Sequence, residues 1–331
     1  MKKLFFFVAF VAMSMLSMAQ VNQLVWANGR LLYGTPVESM DSLTYDEMQD
    51  IDTLHLLLPR TLVKVIHDTV YIHDTVYVTV PGGEETPSQG IGTFSVSATK
   101  QVTFSPGNLQ YTQSTNTWSF AENQYDYLGE ANIAIDADVL ADKVDLFGWS
   151  TSTTNFGVST STSYTDYSGS FVDWGKNKIG NDASNTWRTL SKDEWNYLFV
   201  IRTNASLLHG VAQINGVNGI VVLPDDWTCP EGIVFKSGSY SNRVTDYSVY
   251  QSFNQEQWSW MEARGAIFLP ASGNRVGRDV YLVEDVGYYW SSTRDSDYGA
   301  YNINLYSLGV TPQDRSNSRY PGFSVRLVKD L

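Results

Sequence analysis

Residues 294–320 concentrate the side chains best suited to recognition. They include Arg294, Asp295, Asp297, Tyr298, Tyr301, Asn302, Asn304, Tyr306, Gln313, Asp314, Arg315, Asn317, Arg319 and Tyr320, with few aliphatic residues between them. Tyrosine supplies large, rigid contact area, and Asn, Ser, Asp and Arg supply adaptable hydrogen bonds, which is the chemistry of a paratope. The segment predicts a ligand-binding face made by Arg294, Asp295, Asp297, Tyr298, Tyr301, Asn304, Tyr306, Gln313, Arg315, Asn317, Arg319 and Tyr320. Tyr298, Tyr301, Tyr306, Arg319 and Tyr320 are the strongest contact candidates. No catalytic residue is assigned.

Other chemistries fit less well. The chain of 331 residues has one cysteine, which rules out an intrachain disulfide framework and a Cys-cluster zinc site. Cys229, beside Trp227 and Pro230, reads as a buried inert thiol. His67 and His73 recur in the hexapeptide Ile-His-Asp-Thr-Val-Tyr, at 66–71 and 72–77. Six residues of strand span roughly 20 Å, whereas zinc ligands sit about 2 Å from the ion, so one chain cannot chelate through both. Asp225-Asp226 and Glu284-Asp285 are adjacent carboxylates, but neighbouring strand side chains point to opposite faces. The glycine-rich stretch 214–219 lacks the following helix that a phosphate loop needs and reads as a strand turn. A net charge of −13 argues against nucleic acid, because phosphate binding needs a basic stripe.

The elements that must position these residues follow in chain order. Residues 1–19 have Lys2 and Lys3, an apolar stretch and a Ser-Met-Ala site, and so predict a signal peptide. Cleavage would take the charge from −13 to −15. No second membrane-length apolar run follows, which predicts a mature chain without a membrane span. Residues 20–80 predict a small β-rich module. It opens on a hairpin around Asn28-Gly29 and closes on the hexapeptide repeat, whose period-2 pattern favours a stalk or edge strand. Residues 81–90, rich in Pro, Gly and Glu, predict a linker. Residues 91–331 then form one α+β domain of many short strands, long loops and two helices. Ser191 and Glu194 make a capping box ahead of Trp195, Leu198, Phe199 and Arg202, which predicts an amphipathic helix of about three turns. Asn254 caps a second helix containing Trp258 and Met261, with Gly265 past its end.

Several motifs carry a resemblance. The stretch from Trp187 to Leu198, Trp-Arg-Thr-Leu-Ser-Lys-Asp-Glu-Trp-Asn-Tyr-Leu, resembles the first-helix motif of the formylglycine-generating-enzyme-like branch of the C-type-lectin fold. The stretch Gly322 to Asp330 is similar to that superfamily's closing strand. Tyr289-Trp290-Ser291-Ser292-Thr293, Ala300-Tyr301-Asn302, the run Phe104 to Tyr111 and the run Leu223 to Trp227 resemble the Fibrobacter succinogenes major paralogous domain, common in exported proteins of gut Bacteroidetes. The resemblance implies a C-type-lectin-like domain over 91–331. It does not imply the relatives' chemistry. Cysteine oxidation needs a reactive pair, and Cys229 is alone; a three-histidine iron site fails because only His209, of four histidines, lies in this domain. The calcium signature of sugar-binding lectins is also missing, since Thr311-Pro312-Gln313-Asp314 has its ingredients in the wrong order and no Trp-Asn-Asp occurs. No cofactor is therefore expected. A structural calcium would have to use acidic loops such as 136–145, whose spacing fits no known cage. Lectin-fold variable proteins of diversity-generating retroelements place their diversified face where residues 294–320 fall, and this sequence resembles them there. Trp290 and Phe323 would then be framework.

The expected function is that of an exported, non-enzymatic binding protein at the cell surface, outside the cell or in the periplasm, recognising a protein or glycan through residues 294–320. A fimbrial or adhesive surface component is the structural alternative. A divergent exported hydrolase or oxidase, gathering two acidic groups or His209 with a carboxylate, is the enzymatic one.

Overall fold

A computed structural model describes residues 22–27, 30–36, 92–133, 142–312 and 316–331. The signal-peptide segment, the hexapeptide repeat, the linker, most of the acidic stretch 136–145 and both Gln313 and Arg315 lie outside the described residues. The chain divides into two compact units, residues 1–85 and 86–331.

In the first unit, the strands Asn22–Ala27 and Arg30–Pro36 pair antiparallel, with Ala27 opposite Arg30. The predicted hairpin residues Asn28 and Gly29 lie outside the described residues.

The second unit is α+β and mostly strand, with two α-helices among the described residues. Its ends are tied together: Leu327–Asp330 runs between Gln101–Phe104 and Arg188–Thr189, and Phe94–Ser95 completes the sheet. A second sheet orders Ser252–Phe253, His209–Ile214, Val217–Val222 and Ile267–Pro270. Asn215 and Gly216 turn between its central pair with φ of 49° and 87°, so the glycine-rich stretch is a hairpin turn. A third, larger sheet runs Asp279–Val283, Ser272–Val276, Gly287–Arg294, Gly299–Tyr306 and Gly309–Thr311, with Ser316–Ser318 also on Gly299–Tyr306.

Helix α1, Lys192–Asn196, begins at the Ser191 capping box, where Ser191 Oγ accepts from the Glu194 amide at 3.2 Å and Glu194 Oε2 accepts from the Ser191 amide at 2.8 Å. It does not continue as three α-turns. Tyr197–Ile201 widens into a π-turn, closed by the Arg202 amide donating to the Tyr197 carbonyl at 2.8 Å. The reason is Arg202 itself, which is buried on the apolar side. Its guanidinium donates to the Leu198 carbonyl and pairs with Asp225 at 3.0 Å, so the last turn opens around it. Helix α2, Gln255–Glu262, has its Asn254 cap and buries Trp258 and Met261.

The core lies between these layers. Val211, Ile220, Val222 and Leu269 from the second sheet meet Tyr289, Ile303 and Leu305 from the third, and Trp195, Leu198 and Phe199 of the α1 region close one side. A second cluster gathers Trp118, Phe147, Trp149, Trp174, Trp290 and Phe323. Each buried aromatic removes roughly 150–250 Å² from water. Their polar ends are satisfied: Trp149 Nε1 donates to the Ser291 carbonyl, Trp174 Nε1 to that of Phe156 and Trp290 Nε1 to that of Phe147. Trp118, Trp149, Trp174 and Trp290 are thus framework.

Candidate functional site

The hairpin between Gly287–Arg294 and Gly299–Tyr306 positions the first half of the predicted face. Trp290 pairs with Asn302, yet Arg294 pairs with Ala300, so the first strand carries two extra residues between these points. Such a bulge re-aims the strand end. Here the local hydrogen bonds anchor it, with the Ser292 amide donating to the Leu190 carbonyl and Ser291 Oγ to the Tyr301 carbonyl. The tip is closed by the Asp295 and Ser296 amides donating to the Gly299 carbonyl, and by the Gly299 amide donating to Ser296 Oγ. A Cβ at Gly299 would lie 2.8 to 3.0 Å from Ser316 Oγ, Asp295 Oδ2 and Ser296 Oγ, so any larger residue would have to displace these side chains where they converge.

A cavity of about 440 Å³ opens beside this tip, lined by Tyr164, Asp295, Ser296, Tyr298, Ser316 and Asn317 among others. The Tyr164 ring stands edge-on to Tyr298 at 5.7 Å, and the two rings form an aromatic corner of the cavity that Tyr320, edge-on to Tyr164 at 5.3 Å, supports from outside the lining. Tyr298 is 60 % exposed and Tyr164 is 47 % exposed. Asp295 Oδ2 accepts from Ser316 Oγ at 2.7 Å, while Arg294 is ion-paired with Asp297. Tyr164 was not among the predicted residues. Its stretch Ser163-Tyr164-Thr165-Asp166-Tyr167 has the same Tyr, Ser, Thr and Asp chemistry, and that composition is the signal that would have found it.

The remaining predicted residues do not all converge here. Residue parity along Gly299–Tyr306 puts Tyr301 on the same face as Ile303 and Leu305, where the Lys192 ammonium sits 4.1 Å from its ring centre. Asn304 and Tyr306 lie on the opposite face, with Asn302. Asn302 donates to Asn304 Oδ1 at 2.5 Å and accepts from Asn317 Nδ2 at 2.8 Å. Tyr301 and Tyr306 therefore cannot share one contact surface on this strand.

Arg319 overturns its expected role as a contact. It is 1 % exposed, with its guanidinium 4.3 Å from the centre of the Trp149 ring. It donates to the carbonyls of Tyr167 and Gly169 at 3.1 Å, of Gly299 at 3.2 Å, and of Ser296. Burial and the like charge of Arg294 hold its pKa below the usual arginine value. The composition that marked Arg319 as surface chemistry could not show that four carbonyls require its donors inside. It fastens the Tyr164 segment to the hairpin tip and so positions the aromatic corner.

A larger cleft of about 750 Å³ lies elsewhere on this unit, lined by Lys100, Asp173, Arg188, Asp193, Glu194 and Asp330 among others. Arg188 donates two bonds of 2.8 Å to Glu194 and reaches Asp330 at 2.7 Å, and Lys100 meets Glu194 at 3.4 Å. Burial pushes the Glu194 carboxyl up, but Arg188, the Ser191 amide and the Lys100 charge outweigh it and hold the group below its ordinary value.

Elsewhere the side chains are committed to structure. Glu284 accepts from Tyr127 Oη and from the Asn218 amide, and Asp225 pairs with Arg202 and accepts from Ser95. His209 packs edge-on against Phe199 with Nδ1 2.8 Å from the Ala205 carbonyl, and burial lowers its pKa. Cys229 is exposed, contrary to expectation, with Sγ 3.2 Å from the Ile233 carbonyl. It follows the end of Val217–Val222 by several residues, and its neighbour Pro230 takes the buried place instead. Asp145 is wholly buried and accepts from the Leu128 amide, and burial raises its pKa to about 6. Among the described residues, no three His, Cys, Asp or Glu side chains are grouped to hold a metal ion, and no helix is long and apolar enough to cross a membrane. No protein-family model, curated protein or solved structure matches the chain.

Proposed function

We propose that this chain is an exported, non-enzymatic binding protein of the cell surface, whose second unit is a C-type-lectin-like domain that recognises a ligand with its aromatic corner. The observation that carries the reading is the cavity beside the hairpin tip. It joins exposed tyrosine rings, a carboxylate and hydroxyls on one rigid frame, and recognition sites need that combination of area and directed polar groups. The contact set narrows to Asp295, Tyr298, Asn317 and Tyr320, with Tyr164 and Ser296 added and Arg319 as a positioning residue. The ligand is a protein or a glycan.

The test is a selection of displayed peptides and an immobilised glycan panel against the full chain and its Tyr164→Ala, Tyr298→Ala, Tyr320→Ala triple variant. Ligands enriched by the parent are expected to lose at least about 100-fold in affinity for the variant, in keeping with aromatic residues as interface anchors. Ligands that bind both chains equally would remove this face from the function.

A further inference from the structure

The geometry points to a basic side chain, a lysine ammonium or arginine guanidinium presented by a protein partner, as the group the aromatic corner receives. This rests on the reading of the corner as the ligand face and narrows its ligand to one class. The polar groups lining the cavity are oriented toward acceptance. Asp295 is an acceptor when ionised and has no cationic partner among the described residues, since Arg294 is taken by Asp297. Asn317 donates its amide to Asn302, which leaves its Oδ1 to accept. Among the described residues, no Lys, Arg or His lines the cavity. A guest that brings its own donors completes these groups, whereas an anionic guest would meet a carboxylate and, among the described residues, no lining cation.

The walls agree with the lining. Tyr164 and Tyr298 stand at 74° to each other, so a guest in the corner meets the electron-rich face of one ring and lies beside the second. Cations within about 6 Å of a tyrosine centroid are attracted by that face. The described residues show the interaction three times: Lys192 lies 4.1 Å from the centre of Tyr301, Arg319 4.3 Å from that of Trp149 and Arg202 5.8 Å from that of Phe94. A net charge of −13 adds long-range attraction for a basic partner. Two guanidinium groups reach the Ser296 carbonyl beside the cavity: that of Arg319 is buried and turned onto carbonyl oxygens, and that of Arg294 is ion-paired with Asp297.

The experiment is an NMR titration of the full chain, following tyrosine ring signals, with N-acetyl-arginine amide, N-acetyl-lysine amide and the neutral isostere N-acetyl-citrulline amide. Both cations are expected to shift the Tyr164 and Tyr298 signals at millimolar concentration, and citrulline to bind at least about tenfold more weakly. Asp295→Asn should weaken arginine about five- to tenfold and leave citrulline unchanged. Tyr298→Phe keeps a π face and should retain binding, while Tyr298→Leu keeps apolar area without it and should lose binding. Equal binding of arginine and citrulline would overturn the cationic guest and leave the ligand face standing. Silence to all three probes, with ligands from the display and glycan selection still lost in the triple tyrosine variant, would have the same meaning. Silence here together with no dependence of those ligands on the three tyrosines would overturn both.

Discussion

The larger cleft and the smaller cavity of the second unit differ in what their polar groups have left to give. In the cleft, Arg188, Glu194, Lys100 and Asp330 satisfy one another, and the Ser191 capping box uses the same carboxylate. Among the described residues, the smaller cavity has exposed rings and a carboxylate met by a single hydroxyl. Volume alone would choose the first as the site. The state of the charges chooses the second, because a ligand entering the cleft must break charge-assisted bonds before it forms any.

That contrast is broken most severely by removing the residue that builds the smaller site. Arg319→Ala takes its donors from four buried carbonyls, of which Gly299 keeps the Asp295 and Ser296 amides and Ser296 keeps Arg294 Nε, and is expected to cost about 3 kcal/mol, read by urea denaturation, with loss of ligand binding. Arg319→Lys should rescue little, because a point charge cannot copy a planar fork between Trp149 and separate carbonyls. The cleft should behave as structure alone. Glu194→Ala removes the capping partner of α1 and both Arg188 bonds, an expected loss of about 2 kcal/mol with binding at the tyrosine corner unchanged. Since the folded pKa of Glu194 is depressed, its contribution is present above the ordinary carboxylate range and disappears as pH falls through the folded value. Glu194→Gln should therefore flatten the acid side of the stability profile. In the opposite direction, Tyr298→Ala should reduce ligand affinity about tenfold while changing stability by less than about 0.5 kcal/mol, because the ring is 60 % exposed. Smallest of all is Lys100→Ala. Its ion pair is half exposed and long, and the expected change is within about 0.5 kcal/mol by thermal melting.

Much of the frame was legible because local chemistry dictates it. The Ser191 and Asn254 boxes each specify their helix start with two reciprocal bonds, and the turn at 215–216 follows from an Asn-Gly pair that adopts positive φ. The two helices among short strands follow from the same signals. What the sequence hid was set by distant partners. Arg202 widens α1 because Asp225, far along the chain, draws its guanidinium inward. Arg319 reads as surface by composition, but Trp149, Tyr167 and Gly169 are what bury it. The period-2 rule, applied to Gly299–Tyr306, would have separated Tyr301 from Tyr306 in advance. It could not have brought Tyr164 from another segment to the same corner.

The most direct measurement pairs a thermal melt with ligand affinity for the Tyr164→Ala, Tyr298→Ala, Tyr320→Ala variant of the full chain. A recognition face built on a separate framework requires affinity to fall at least about 100-fold while Tm moves by no more than about 5 °C. Retained affinity, or a Tm collapse that shows these rings to be core, would contradict it.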